Sequence, residues 1–189
     1  MKATGHYEQV RHVDPNAVLT EQTRHHIDLW VAKFPSDRKR SALIQALFGA
    51  QEQNGGFLTD ELITAVAKYL EVPAIWSYEV ASFYSMLETK PVARNNVAIC
   101  TNISCWLNGA EELVRHCEEK LGIKLGESTP DGRVYLKNEE ECIAACVYAP
   151  AATVNGDYHE HLTTEKLDAI LDGLSIDGPG HGHAAGENH

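Results

Sequence analysis

Apolar residues in the first half of the chain recur at the spacing of an amphipathic helix. After a potential N-cap at Thr20, one segment has apolar residues at positions i, i+3, i+4 and i+7, namely Ile27, Trp30, Val31 and Phe34. Three further segments show the same periodicity, and turns that contain Gly or Pro separate them. Thr59 is a potential N-cap of the third helix. The pattern predicts a small bundle of four short helices over residues 20–34, 37–53, 59–70 and 73–87.

The fourth of these helices is rich in aromatic residues, which are Trp76, Tyr78, Phe83 and Tyr84. Large aromatic side chains usually supply much of the buried area of a small core. We therefore expect them to pack inside the bundle. The alternative is that some of them face a partner subunit.

The pattern changes after Pro91, from helical periodicity to short apolar runs that alternate with helices. The apolar runs predict strands over residues 92–99, 133–136 and 151–154. Asn155-Gly156 directly after the third run is a strong hairpin signal. Helical spacing predicts one helix over residues 106–121 and a last helix that carries Leu167, Ile170, Leu171 and Leu174.

The chain therefore divides into four parts on sequence grounds, and its predicted fold class is α+β. Residues 1–17 are an N-terminal extension, residues 18–90 a helical bundle domain and residues 91–174 a small α/β domain. The tail, residues 175–189, is rich in Gly and His and has no periodicity, so we expect it to be disordered.

Net charge argues against two classes of partner. The 189 residues include 27 acidic and 16 basic side chains, which gives a formal net charge of −11. Such a chain repels phosphates, so neither nucleic acid nor an anionic lipid surface is expected to bind it. The sequence has no apolar run long enough for membrane insertion. Its N-terminus lacks a secretory or transit pattern, so we expect a cytoplasmic protein.

Four of the five cysteines form two close pairs. Cys100 and Cys105 are a C-x4-C pair, and Cys142 and Cys146 are a C-x3-C pair that follows after 36 residues. Thiolates grouped in this way can hold a soft metal centre. The fifth cysteine, Cys117, lies on the apolar face of the helix predicted over residues 106–121, so we expect it to be an inert core residue.

Spacing alone leaves three occupants open for the four thiols. A [2Fe–2S] cluster fits two separated pairs, because each of its irons takes two thiolates. Zinc is a second candidate, although gaps of four and three residues are unusual for structural zinc. A redox-switch disulfide is the third, but the C-x-x-C spacing of a dithiol oxidoreductase is absent. The strand-to-helix junction at the first pair favours the cluster, because free N–H groups at a helix start favour negative charge.

Several motifs together resemble the thioredoxin-like [2Fe–2S] ferredoxins, and among them the family of iron–sulfur subunits from the NADH-binding module of NADH:quinone oxidoreductase, respiratory complex I. The likeness covers roughly residues 18–174. Two of its motifs lie far from the cysteines, and the other two contain the pairs. The four stretches are residues 50–56 (AQEQNGG), 78–86 (YEVASFYSM), 100–105 (CTNISC) and 141–146 (ECIAAC), the last followed by Ala149-Pro150.

The resemblance implies a helical N-terminal domain followed by a thioredoxin-like domain that binds one [2Fe–2S] cluster. It implies that Cys100, Cys105, Cys142 and Cys146 are the metal ligands and that no catalytic residue lies on this chain. It further implies a tight complex with a flavoprotein subunit that holds FMN and the NADH site, with single electrons exchanged between cluster and flavin. The complex would lie at the cytoplasmic face of the inner membrane, to which this chain would be peripheral.

Two points qualify this expectation. Related subunits with the same cluster serve NAD-dependent formate dehydrogenases and NAD-coupled hydrogenases, which gives an alternative host complex. The family commonly has Gly in the middle of the C-x3-C loop, where this chain has Ala144. If that position requires positive φ, Ala costs on the order of 1 kcal/mol there, and the contact between its N–H and a sulfur could change.

Overall fold

The structure, a computed structural model, describes residues 12–138, 142–178 and 180. The chain forms two compact units, one that ends at Pro91 and one that begins at Val92. The first is helical and the second is built on a mixed sheet, which confirms the α+β class. Residues 1–11 of the predicted extension lie outside the described part, and so do Pro179 and residues 181–189 of the predicted tail.

Five α-helices make up the described part of the first unit. They are α1 (Pro15–Val18), α2 (Glu21–Val31), α3 (Leu43–Gln53), α4 (Asp60–Tyr69) and α5 (Ala74–Phe83), with a 3₁₀ turn over Lys39–Ala42 before α3. The predicted caps are confirmed: Thr20 Oγ1 accepts from the Thr23 amide and Thr59 Oγ1 from the Leu62 amide. Helix α1 was not predicted, because its four residues are too few to show a helical period.

Side-chain amides of the residue 50–56 motif tie the bundle together. Gln51 is buried, donates to the Met86 carbonyl and accepts from the Glu88 amide. Gln53 donates to the Val18 carbonyl and accepts from the Thr20 amide, which joins α3 to the start of α2. Each glutamine thus provides a hydrogen-bond partner for one backbone N–H and one backbone carbonyl. A buried backbone group without a partner would cost about 1–3 kcal/mol. This part of the motif is therefore structural.

The expectation for the aromatic helix α5 is only partly correct. Trp76, Tyr78 and Tyr84 pack against the core of the bundle, but Phe83 is 74% exposed. Ile75 and Met86 are also exposed. The helix ends at Phe83 rather than near residue 87, but Tyr84 and Leu87 beyond it still pack into the core of the bundle.

The second unit is a five-stranded sheet in the described residues, with helices packed against it. Its strands are β1 (Asn95–Ile99), β2 (Glu127–Ser128), β3 (Val134–Lys137), β4 (Ala152–Val154) and β5 (Asp157–His159), in the order β2-β3-β1-β4-β5. Its helices are α6 (Ile103–Leu107), α7 (Ala110–Leu121) and α8 (Thr164–Gly173). Strand β2 was missed, because two exposed residues carry no apolar pattern.

Strand β1 is the centre of this sheet and pairs differently on its two sides. It runs parallel to β3 and antiparallel to β4. All five of its residues are buried, as expected for a strand covered on both faces. The predicted hairpin is confirmed: Asn155 and Gly156 both have positive φ, and β4 pairs with β5 across them.

The segment after α8 is held to the start of β1. The Asn95 amide side chain donates to the Ser175 carbonyl, and the Arg94 guanidinium donates twice to the Gly178 carbonyl. Residues 175–178 therefore have defined contacts, although they fall in the part of the chain predicted to be disordered. No helix in the described ranges has the length and apolar character needed to cross a bilayer.

Candidate metal centre

Sheet topology brings the two cysteine pairs together. Cys100 directly follows β1, and its amide donates to the Ala151 carbonyl at 3.0 Å. Since β3 is parallel to β1 and β4 is antiparallel, β3 ends and β4 begins at the same edge of the sheet. The chain between them must cross the end of β1. That crossing segment contains Cys142 and Cys146, so it carries them over Cys100.

The first pair is buried. Cys100 is 1% exposed and Cys105, inside α6, is 2% exposed. The single helix predicted over residues 106–121 is incorrect: α6 starts at Ile103, and the chain breaks at Gly109, which has φ of +91° and precedes α7. Gly supplies this left-handed conformation at no steric cost. The break also leaves Leu107 exposed.

The second pair is exposed. The Cys142 and Cys146 sulfurs lie 3.3 Å apart, and Cys146 begins a 3₁₀ turn that extends to Tyr148. This distance exceeds the roughly 2.0 Å of a disulfide, and all five cysteines are free thiols. We call residues 142–146 the second ligand loop, after the metal ligands that the family resemblance predicts there.

A serine that the sequence analysis did not single out joins the segment that contains Cys100 and Cys105 to the second ligand loop. Ser104 Oγ donates to the Cys146 carbonyl at 2.9 Å, and the Ser104 carbonyl accepts from the Asn108 side chain at 2.7 Å. Ser104 stands between the cysteines of the C-x4-C pair, but its contact is with a residue 42 positions away. Nothing local in the sequence marks a hydroxyl for such a contact.

Cys105, Cys142 and Cys146 differ in their pKa values. Burial raises the pKa of Cys105 to about 11, and a hydrogen bond from the Ala151 backbone offsets part of that rise. The hydrogen bond from the Ala144 backbone lowers the pKa of Cys142, with a smaller contribution from Cys146. The contact with Cys142 raises the pKa of Cys146, and the nearby Cys100 contributes in the same direction. Cys100 thus interacts with each of the other three thiols.

Cys117 belongs to the core, as expected. It is fully buried on α7 among apolar side chains of the sheet unit. Burial raises the pKa of its thiol to about 12, and the neighbouring Asp168 carboxylate adds to the rise. A thiol that stays protonated at neutral pH is a poor nucleophile, and Cys117 lies among apolar side chains of the core.

The donor set fits a two-iron cluster better than a single ion. The Cys142 and Cys146 sulfurs lie together as one pair, and Cys100 lies near both Cys105 and Cys142. Two thiolates for each iron is the ligand set of a [2Fe–2S] cluster.

Ala144, in the middle of the second ligand loop, has φ of +62°. The backbone at this position is therefore left-handed, and this is the conformation in which Ala is less favourable than the Gly common in the family. The Ala144 amide donates to Cys142 Sγ at 3.4 Å. A methyl group in this conformation costs roughly 1–2 kcal/mol, because Cβ approaches the following carbonyl oxygen.

The fold and the cysteines together define a thioredoxin-like protein with a four-thiol site. The chain belongs to the thioredoxin-like [2Fe-2S] ferredoxin family, whose sequence profile matches residues 27–175.

Relatives from three organisms show which members of the family the chain is similar to. The chain is 47% identical over 147 residues to the E subunit of the NADH-quinone oxidoreductase of Rickettsia bellii, an alignment that spans 78% of this chain and 87% of the relative. It is 41% identical to the corresponding E 2 subunit of Rhizobium meliloti, across 79% and 86% of the two chains. A mitochondrial NADH dehydrogenase [ubiquinone] flavoprotein 2 of Dictyostelium discoideum is 37% identical, across 85% and 65%.

A solved structure supports the fold. The chain is similar to part of an NAD+-reducing [NiFe]-hydrogenase in the air-oxidized state, with a TM-score of 0.57 and 23% identity. The match covers 69% of this chain but only 22% of the hydrogenase chain. At this identity the likeness concerns architecture alone.

Ala144→Gly should stabilise the chain. Relief of roughly 1–2 kcal/mol of left-handed strain exceeds the 0.4–1 kcal/mol that Gly adds to unfolded-chain entropy, so the free energy of unfolding should rise by about 0.5–1 kcal/mol. Urea unfolding of the cluster-free full-length chain, followed by circular dichroism, measures this change.

The neighbouring Ala145 gives a matched control, because it is buried and has φ of −97°. Ala145→Gly adds the same entropy without relieving strain, so it should lower the unfolding free energy by about 0.4–1 kcal/mol or more. If both variants destabilise the chain equally, Ala144 is not strained.

Proposed function

We propose that this chain is the iron–sulfur electron-transfer subunit of an NADH:quinone oxidoreductase, and that Cys100, Cys105, Cys142 and Cys146 hold its [2Fe–2S] cluster. The observation that carries the proposal is the meeting of these four thiols at one edge of the sheet, in a chain 47% identical to an E subunit of that enzyme. No catalytic residue is assigned, because thiols committed to a metal are neither nucleophiles nor acids.

The cluster, when bound, supplies the capacity to accept and release one electron at a time. This chain's residues have three tasks toward it. The buried Cys100 and Cys105 fix one side of the site inside the core of the sheet unit. The second ligand loop closes the other side, and Ser104 holds the two together through the Cys146 carbonyl.

The partner in this proposal is a flavoprotein subunit that holds FMN and the NADH site. Support comes from apolar side chains that stand exposed beside the cysteines. On α6 they are Ile103 (76% exposed), Trp106 and Leu107, and on the 3₁₀ turn they are Val147 (86% exposed) and Tyr148. We call these five residues the apolar rim. Exposed apolar groups of this size mark interaction sites, and aromatic residues dominate their binding energy.

Position is the reason for assigning the rim to the electron-exchange partner. A cluster can exchange electrons only with a group that approaches its site, and the rim borders the exposed pair of thiols. A partner seated on the rim would also exclude water from Cys142 and Cys146. The NADH that such a partner oxidises is a cytoplasmic substrate, so the proposal places the chain as a peripheral subunit at the cytoplasmic face.

The hydrogenase likeness does not favour a different host complex. At 23% identity it supports the architecture of the chain and says nothing of its assembly. The relatives with 41–47% identity carry the name of the quinone-linked enzyme, and they are the reason for choosing it.

Cys142→Ala in the assembled complex tests the electron-transfer role. It removes one proposed ligand at an exposed site, so it should abolish or strongly reduce the [2Fe–2S] paramagnetic signal that NADH elicits from this subunit. Cluster content, retention of the flavoprotein and NADH oxidation are measured separately. Cys117→Ala is the matched control and should keep the signal. An unchanged cluster in Cys142→Ala would refute the ligand assignment.

Trp106→Ala tests the docking surface. Loss of a central aromatic anchor should weaken binding to the flavoprotein by about tenfold or more, equivalent to at least about 1.4 kcal/mol. Surface plasmon resonance with the purified cluster-loaded chain measures the dissociation constant.

Ile176→Ser is the control for this experiment. Ile176 is exposed in the same unit but follows Ser175, which is bound to Asn95 at the opposite end of β1 from Cys100. It should leave the affinity unchanged. Equal weakening by both variants, or by neither, would contradict the rim as the docking surface.

A further inference from the structure

Ala144 combines two features within the second ligand loop. Its backbone is left-handed, with φ of +62°, and its amide donates to Cys142 Sγ at 3.4 Å. The next cysteine of the loop, Cys146, lies 3.3 Å from the same sulfur. The loop therefore contacts the Cys142 sulfur twice, through the Ala144 amide and through the Cys146 sulfur.

The positive φ makes these two contacts compatible. The angle φ is the rotation about the N–Cα bond of Ala144, so it sets the direction in which the chain leaves the peptide that carries the N–H. The observed value differs by about 125° from the ordinary right-handed value near −63°. With the N–H directed at Cys142, a right-handed Ala144 would send the following residues elsewhere, and Cys146 would not return to its partner.

Other polar groups at the site form hydrogen bonds with partners other than the Cys142 sulfur. The Ser104 hydroxyl donates to the Cys146 carbonyl rather than to a sulfur, and the Cys100 amide donates to the Ala151 carbonyl. The Ala151 backbone does interact with the Cys105 sulfur, on the buried side. On the exposed side, the Ala144 amide donates to the Cys142 sulfur, where an N–H dipole favours negative charge.

The geometry points to Ala144 as a positioning residue that raises the reduction potential of the cluster by directing its amide N–H at Cys142 Sγ. This inference rests on the proposed function. A four-thiolate [2Fe–2S] cluster carries two negative charges when oxidised and three when reduced by one electron. A fixed N–H donor stabilises the more negative state more strongly, and donors to sulfur are among the groups that set such potentials.

The test replaces the amide itself. L-lactic acid in place of Ala144, introduced by nonsense suppression in the full-length chain, keeps the methyl group but changes the N–H to an ester oxygen. Iron and sulfide are measured first, and then the midpoint potential is determined by titration followed by electron paramagnetic resonance. The ester should lower the midpoint potential. Ala144→Gly, which keeps the N–H and favours the same φ, should leave it close to that of the unchanged chain.

Each outcome has a separate meaning. An unchanged potential in the ester variant, with the cluster intact, would overturn the role of Ala144 and leave the proposed function standing. A shift in Ala144→Gly as large as that of the ester would also overturn it, because the methyl group would then be responsible. Absence of iron and sulfide from the unchanged chain would instead refute the proposed cluster.

Discussion

Strand β1 holds the candidate site together, because the chain segment that contains the second ligand loop connects its two neighbours in the sheet, β3 and β4. The parallel neighbour β3 ends where β1 ends, and the antiparallel neighbour β4 begins there. The connection between them has to pass over Cys100, which leaves β1 at that edge and donates its amide to Ala151. Two cysteine pairs separated by 36 residues meet for this reason. Register errors in β1 would separate them.

The site has two faces with different physical character. Cys100 and Cys105 lie inside the apolar core, where burial disfavours thiolates, and the pKa of about 11 at Cys105 reflects this. Cys142 and Cys146 are exposed, and a backbone amide favours charge on Cys142. Binding a metal would offset the cost of ionising Cys105, while the exposed pair remains accessible beside the apolar rim. The two faces thus provide anchoring on one side and access on the other.

Local rules predicted most elements of the fold, but they missed two very short elements, a helix break and the exposure of one aromatic side chain. The caps at Thr20 and Thr59 and the hairpin at Asn155-Gly156 are encoded within a few residues, and each was confirmed. The break at Gly109 was missed, because apolar residues on both sides of it kept helical spacing. The exposure of Phe83 was also missed, because periodicity shows that a face is apolar but not what covers it.

The site shows the same division. The cysteine spacing identified four candidate thiols, and the apolar face of a predicted helix set Cys117 apart. The glycine common in the family raised the condition of a left-handed backbone at Ala144, and the structure has it. The Ser104 contact with Cys146 joins residues 42 positions apart, so only the three-dimensional structure could reveal it. The most direct measurement of the central claim is the iron, sulfide and one-electron capacity of the anaerobically purified full-length chain. We predict about two irons, two sulfides and one electron per chain, with a paramagnetic signal on reduction. A colourless chain with zinc on its thiols and no sulfide would contradict the account.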